Sequence, residues 1–565
     1  MYTVTKEINA RKIELYIVHE NVTKKTISLN SKVSPKKEIE KFGKQIQNNK
    51  CYFIIGSGNG TLLEYLLEKN FHSKFYIIEL FREIDYDEKY KDKLKNHNIY
   101  FYHNEDLNYI KISDAIRESF GMGIEILIHP NYENLRRELL HSVLEKIKMG
   151  TTTTKINNNT EKYFMFEWLI EPILNLSLSK EGKNLLDVKD KFEQRPIIIV
   201  ASGPSLVDNL DFIKKNKDRA YIIASGSAVN GLLNYGISPD FVTIIDASIT
   251  NFTAHFKNTK YTGPIITAGT TNHLILKHHP GEIYFTNLAQ DSITNEVRPD
   301  FLMVPTVPSV ALYSLLLTHY LNASEVYLVG QDLALKNGEY YASGVHKHKG
   351  IENLGPTKEV EGNTLEKVIT TLPLASMLES FNNAVESIRK VNKQVKIYNL
   401  STIGAKIKGV PYKNKNEIKL GETIDKSWIS RTPIEKTLDY TNSLEYLEKL
   451  KSCKREVDEI VRKIDRMNSN AVTLQDLEKI LKLIKKIREN KMLETHILNM
   501  IYSTTKSINN MFEYGFEDNF KTNSERVDML IKLKFFVKYI QQYLEGLTDH
   551  KAWFEMDIDV SLENS

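Results

Sequence analysis

Cysteine is almost missing from this chain: Cys51 and Cys453 are the two present in 565 residues. With no CxxC pair and no Cys/His cluster, neither a disulfide framework nor a structural zinc site is indicated. Long hydrophobic runs are missing as well. No stretch approaches the roughly 18 apolar residues of a membrane span, and Met1 to Ala10 lacks the apolar core of a signal peptide. Nor does one sign of charge prevail, with 76 Lys and Arg against 72 Asp and Glu for a net +4. Proteins that track phosphate backbones concentrate basic residues on one face, so a nucleic-acid partner is not expected. These absences leave the expectation of a soluble cytoplasmic protein without a transmembrane segment. No solenoid repeat is evident either.

What is present is an ordinary globular balance, 41% hydrophobic and 26% charged residues, over a length that predicts three or four domains. From residue 1 to 150, short apolar runs at Tyr52–Ile55, Phe75–Ile78 and Ile124–Ile128 alternate with helical stretches, predicting a Rossmann-like α/β domain with a small parallel sheet. The Thr-rich and Asn-rich tract from Gly150 to Asn159 has no periodicity and reads as a linker or exposed loop. A helix is expected from Glu161, ended or kinked near Pro172. Residues 160–415 repeat the alternation more strongly, with runs at Ile197–Ala201, Tyr221–Ala224, Phe241–Ile245, Ile265–Ala268, Ile283–Phe285, Val326–Val329 and Val395–Tyr398. Ile- and Val-rich runs of this kind suit strands covered on both faces. A second, central Rossmann-like domain follows, with a buried helix between Val310 and Leu321. From 420 to 565 the strand signal fades, and leucines at helical spacing among Lys and Glu predict a helical bundle.

Ligands of open parallel sheets bind beyond the carboxyl ends of the strands, so the residues after each central run are the candidate site. The first run ends in Ala201-Ser202-Gly203-Pro204-Ser205. Gly203 permits close backbone approach, Pro204 sets the turn, and Ser205 can cap a helix whose free N–H groups would face an anion. The next runs end in Ser225-Gly226-Ser227, in Asp246-Ala247-Ser248, in Gly269-Thr270-Thr271-Asn272 and in Gly330-Gln331-Asp332, while Ser309 precedes the buried helix. Several small or polar strand ends in one sheet predict a shared polar cleft. Asp246 and Asp332 can bind ribose hydroxyls, hold a metal or orient a base, or simply cap helices. Past Asp332, the loop Tyr340-Tyr341-Ala342-Ser343-Gly344-Val345-His346-Lys347-His348 offers hydroxyls and imidazoles for a leaving phosphate or an acceptor proton.

Ser202-Gly203-Pro204-Ser205-Leu206, Gly236-Ile237-Ser238-Pro239-Asp240, Gly330-Gln331-Asp332-Leu333-Ala334, Tyr341 to His346 and Gly404 to Gly409, in that order, resemble the motility-associated factor (Maf) flagellin glycosyltransferases. The resemblance implies transfer of a nonulosonic acid, of pseudaminic, legionaminic or Kdo-like type, from a CMP-activated sugar to Ser or Thr of flagellin. It also implies a central domain distantly similar to bacterial sialyltransferases, which need no metal or other cofactor. On that likeness Ser202, Gly203, Ser205, Ser225, Gly226, Ser227, Asp246, Thr270, Asn272, Ser309, Gln331, Tyr340 and Tyr341 are expected to bind the donor, with Asp332 and His346 as catalytic residues. The scarcity of carboxylates in these loops agrees with a reaction that uses no metal.

Three other readings compete. The Gly-Pro-Ser domain also resembles the 6-hydroxymethylpterin diphosphokinase MptE-like proteins, which transfer diphosphate from ATP and are much shorter. Near the start, Gly56-Ser57-Gly58-Asn59-Gly60 follows one strand and Glu79 ends the next, the arrangement of a methyltransferase-type nucleotide site. A non-catalytic flagellin-binding protein, using its helical tail, is the remaining alternative.

Overall fold

Most of the apolar runs form strands where the periodicity places them. The protein is described here from a computed structural model covering residues 2–22, 24–342, 356–467, 470–515 and 520–555. It is a mixed α/β protein with parallel sheets. The chain divides into two units, Met1–Tyr163 with Arg455–Gln542, and Phe164–Lys454 with Tyr543–Ser565.

In the first unit, strands β1 (Tyr2–Ile8), β2 (Glu14–Glu20) and β3 (Thr26–Ser28) make an antiparallel meander. Then β4 (Lys50–Ile55), β5 (Lys74–Glu79), β6 (Ile99–His103) and β7 (Gly123–Ile128) form a parallel sheet in the order β6-β5-β4-β7. β2 and β6 contain apolar runs, Leu15–Val18 and Ile99–Tyr102, as long as those read as strands above, whereas β1 and β3 do not. Helices of residues 455–542 belong to this unit as well: Tyr502 donates to Glu118 at 2.6 Å, and the Asn510 amide donates to the carbonyls of Glu118 and Phe120 at 2.8 and 2.9 Å.

The tract from Gly150 to Asn159 is no linker. It lies within one helix, Arg137–Phe164. Val143, Ile147, Gly150 and Thr154 form its buried stripe, and a side chain at Gly150 would overlap Ile112 at 2.6 Å. Two of those four positions are not hydrophobic, so a hydrophobicity pattern misses the face. The hydroxyls of Thr151, Thr152 and Thr154 each bond the carbonyl four residues back at 2.9 Å, which keeps threonine compatible with a helix interior. Pro172 sits inside the next helix, Glu167–Leu174, two residues before its end.

The second unit is built on a sheet containing β8 (Lys183–Asn184), β9 (Ile197–Val200), β10 (Tyr221–Ser225), β11 (Phe241–Ile244), β12 (Ile265–Ala268), β13 (Ile283–Leu288), β14 (Met303–Val304), β15 (Glu325–Val329) and β18 (Lys396–Asn399). Its order is β14-β13-β12-β11-β10-β9-β15-β18, with β8 beside β13, and every pairing is parallel. A separate hairpin, β16 (Thr357–Glu361) and β17 (Lys367–Thr371), precedes β18. Residues alternate between two buried faces. Ile197, Ile199, Tyr221 and Ile223 pack with helices Val310–Tyr320 and Leu372–Val391. On the other face, Ile198, Val200, Ile222 and Ala224 meet Phe212, Val229, Leu232 and Leu276. The chain moves outward from β9 to β14, then returns to lay β15 on the opposite side of β9. That reversal makes a switch point between β9 and β15, where open α/β sheets bind ligands.

Helices resume at Thr441 rather than at 420. Most of the preceding segment is an extended strap across the amino ends of the strands. Ile424 N–H donates to the Asp218 carbonyl at 2.8 Å and Ile434 N–H to that of Pro280 at 2.7 Å. Lys426 pairs with the buried Asp240 carboxylate, and Trp428 packs on Phe192 and Phe241 with ring centroids 5.8 Å apart. A strap of this sort has no periodicity of its own, because its partners are backbone groups distant in sequence.

Candidate functional site

The parallel register levels the strand ends. Val200 of β9 is opposite Ala224 of β10 and Val329 of β15, so the loops after these strands emerge side by side. Ser227 Oγ donates to Ser202 Oγ at 2.9 Å and lies 3.3 Å from Ser225 Oγ. The loop past β15 crosses above: Ala342 N–H donates to the Ser202 carbonyl at 2.9 Å. Tyr340 is fixed by a 2.8 Å bond between its hydroxyl and Thr371 Oγ1, and its ring lies 6.3 Å from that of Tyr341. Burial, then the neighbouring Tyr340 and Asp246, hold the Tyr341 phenol above its ordinary pKa, so it stays a proton donor at neutral pH. Asp246 turns the β11 loop by accepting Ser248 N–H at 2.8 Å.

Ser309 caps the helix Val310–Tyr320, accepting Leu312 N–H at 3.3 Å. That helix is keyed beneath the sheet by hydroxyl pairs, Ser314 with Thr243 at 2.8 Å and Tyr313 with Thr286 at 2.6 Å. Ser227, Asp246, Ser309, Tyr340 and Tyr341 are half-buried, and Ser202 and Ser225 are buried behind Ser227.

The Gly-Pro-Ser loop departs from expectation. Its amides do not stand open to an anion: Gly203 N–H donates to the Gly330 carbonyl at 2.9 Å, and Ser205 N–H donates to Asp332 Oδ2 at 2.8 Å. The chain's own carboxylate therefore occupies the position foreseen for a phosphate. Residues Pro204–Asn209 form a short 3-10 turn with no side-chain cap, so Ser205 is not a helix cap. Gly203 is needed because a side chain there would meet the Gly330 carbonyl and Asp332.

Asp332 is 2% exposed. Ser401, which no local pattern flagged, donates to its other oxygen, and Ala405 N–H donates to its backbone carbonyl at 2.7 Å. Burial raises the Asp332 pKa, opposed by the bonds from Ser205 and Ser401. A carboxylate engaged on both oxygens and 2% exposed braces three loops. Gln331 belongs to the same framework, its carbonyl accepting from Asn399 at 3.2 Å. Gly226 makes room for Phe256, whose ring would lie 3.0 Å from a side chain there.

Thr270 and Asn272 are also spent on the fold. They are 0% and 3% exposed. Thr270 reaches only the Ile245 carbonyl, at 3.5 Å, and the Asn272 amide donates to Glu171 at 2.9 Å and Ala247 at 3.2 Å. Glu171, on the helix Glu167–Leu174, accepts His273 N–H at 2.6 Å and lies 2.9 Å from His273 Nδ1, while Asn175 donates to the carbonyls of Gly269 and Thr271. This helix closes over the end of β12, a placement unreadable from the Thr-Thr-Asn motif itself. The half-buried candidate residues are therefore Ser227, Asp246, Tyr340 and Tyr341, on the loops after β10, β11 and β15, together with Ser309. His346 and His348 lie outside the described residues. Among the described residues no group of three or more His, Cys, Asp or Glu is placed to hold a metal ion, and no helix is long and apolar enough to cross a membrane.

The glycine loop of the first unit is filled by its own side chains. Gly56 has φ +95°, and the Tyr132 ring stands 2.6 Å from where a side chain would begin. Glu79 is fully buried, accepting Ser57 N–H at 3.0 Å, Ser57 Oγ at 2.5 Å and the Tyr132 hydroxyl at 2.7 Å. Asn59 N–H donates to Asn30 at 2.6 Å, and Tyr86 donates to the Gly58 carbonyl at 2.6 Å. The acid expected to meet a ribose thus holds the loop together.

Comparison with known proteins follows the same outline. No curated protein sequence matches the chain. The fold is similar to that of a solved MAf glycosyltransferase from Magnetospirillum magneticum AMB-1, with a TM-score of 0.54 over 98% of this chain and 93% of that one, at 13% sequence identity. Residues 173–338 match the 6-hydroxymethylpterin diphosphokinase MptE-like family, so an MptE-like domain forms the core of the second unit.

Proposed function

We propose that the second unit is a glycosyltransferase that moves a nonulosonic acid from a CMP-sugar to Ser or Thr of flagellin. The observation that carries this reading is the set of hydroxyls from Ser202, Ser225, Ser227 and Tyr341, with Asp246, at the switch point of a parallel sheet. Breaking the bond between sugar and phosphate leaves negative charge on CMP, and preorganised hydroxyl donors stabilise such charge where it develops. Because the Gly203 and Ser205 amides are held by the Gly330 carbonyl and Asp332, those side-chain hydroxyls take the role first given to the loop backbone. Asp246 suits the ribose hydroxyls, and Ser309 with the first turn of its helix suits the nucleotide. In this reading His346 removes the acceptor proton, and neither metal nor other cofactor enters.

Calorimetry with CMP tests the site. Replacing Ser202 and Ser227 together by Ala is expected to weaken CMP by about 5- to 150-fold, from two lost hydrogen bonds of about 0.5–1.5 kcal/mol each. Intact-mass measurement of flagellin from cells with and without the gene tests the reaction. An unchanged mass would sink it.

The match of residues 173–338 to the MptE-like family supports a second reading, ATP-dependent diphosphate transfer. It predicts that ATP binds and CMP does not.

A further inference from the structure

The second unit has a cavity of about 240 Å³ between the helical stretch Ile249–Phe256 and the helix His273–His278. Phe252, Phe256, Lys257, Ile275, His279 and Pro280 line it. These two helical stretches begin at the loops after β11 and β12. The cavity lies toward their far ends, nearer the amino end of the sheet, and so stands apart from the hydroxyl cleft.

Three features point to a ligand. His279, 4% exposed, lines the cavity with its ring. Burial, with Lys436 nearby, lowers its pKa to about 3, so the ring is a neutral donor and acceptor. Next, Phe252–Phe256 is a single π-helical turn, closed by Lys257 N–H donating to the Phe252 carbonyl at 2.8 Å. Such turns interrupt α-helices mostly one at a time and frequently at functional sites. Finally, one wall is aromatic, with the Phe252 and His278 rings stacked at 5.7 Å. Lys257 is exposed and has no ion-pair partner among the described residues.

Size narrows the choice. At ~30 Å³ per water the space holds roughly eight waters, below the ~300–1,000 Å³ of sites for drug-sized ligands. That excludes a nucleotide and admits one ring with a short arm. We propose that this cavity binds a small aromatic carboxylate, its ring against Phe252, Phe256 and Pro280 and its carboxylate meeting Lys257. The proposal does not depend on the transferase reading.

Benzoate is the probe, with benzamide as its uncharged counterpart, titrated against the full chain by calorimetry. One saturable benzoate site is expected, with benzamide weaker by about 10-fold and benzoate affinity falling as salt rises. Lys257→Glu, an exposed change, should weaken benzoate by about 10-fold and leave CMP titration unaltered. Ile275→Trp should fill the space and abolish benzoate binding; if that variant fails to fold, Lys257→Glu decides alone. Absence of saturable binding at millimolar benzoate, equal binding of benzamide, or an unaltered Lys257→Glu variant overturns the proposal.

Discussion

Asp332 offers the sharpest test of how the candidate site is built. Its two carboxylate oxygens accept from Ser205 N–H at 2.8 Å and from Ser401 Oγ, at 2% exposure. Asp332→Asn can keep both bonds: the amide oxygen accepts from Ser205 N–H, and the amide nitrogen donates to Ser401, whose hydroxyl can turn to accept. The expected cost is below about 1 kcal/mol, because neutral hydrogen bonds of the same geometry replace those of the carboxyl group. Asp332→Leu keeps similar bulk but strands a buried N–H and a buried hydroxyl, so a cost of about 2–4 kcal/mol is expected.

The three tryptophans, Trp168, Trp428 and Trp553, all belong to the second unit, so denaturant unfolding followed by tryptophan fluorescence reports on it selectively. Acidity supplies a further check. Burial raises the folded-state pKa of Asp332, so its contribution to stability is full below the unfolded value and is lost as pH rises through the folded one. The deficit of Asp332→Asn relative to the natural chain should therefore shrink as pH rises through that window. A leucine variant as stable as the natural chain, or less damaging than asparagine, would refute the brace.

Other predictions follow from the same geometry. Asp291 is fully buried, caps the helix Ser292–Val297 and has its pKa pushed up to about 6 by burial. The folded chain binds that proton more tightly than the unfolded chain, whose aspartate titrates near ~3.9. Stability from this group should fall by about 2–3 kcal/mol between pH ~4 and ~6, a slope that Asp291→Asn removes in unfolding titrations across that range. Gly330 has φ +67°, and a side chain there would overlap the Ala201 carbonyl oxygen. Gly330→Ala should cost at least about 2 kcal/mol by the same fluorescence measurement, and a neutral result would contradict the close approach of the β9 and β15 loops. In the first unit, Tyr132 and Glu79 fill the glycine loop, so calorimetry should find no S-adenosylmethionine binding; saturable binding lost on substituting Ser57 would reinstate a methyltransferase site.

Strand positions were legible because a strand buried on both faces needs a continuous apolar run, and Ile197–Val200, Tyr221–Ser225 and Ile265–Ala268 each supply one. The helix Arg137–Phe164 was not, since Gly150 and Thr154 on its buried stripe are chosen for close fit to Ile112 and Ser113. At the site, the sequence singled out the strand-end loops as a group, and the structure sets those after β9, β10 and β15 side by side. It could not separate residues facing the cleft from those supporting it. Thr270 and Asn272 read as polar loop residues like Ser227, yet a helix about 100 residues earlier covers them.

The Gly-Pro-Ser loop shows where the division falls. Local chemistry, a strand running into Gly203, Pro204 and Ser205, determined a tight turn at the carboxyl end of β9, because backbone conformation there depends on neighbours in sequence. Which group would meet the turn's N–H donors depended on what the fold brings to it. Parallel pairing of β9 with β15 carries Asp332 to Ser205 across 127 positions of chain. A hydrogen bond between such distant residues leaves no periodicity or spacing in the sequence; the tertiary structure alone made that loop a brace.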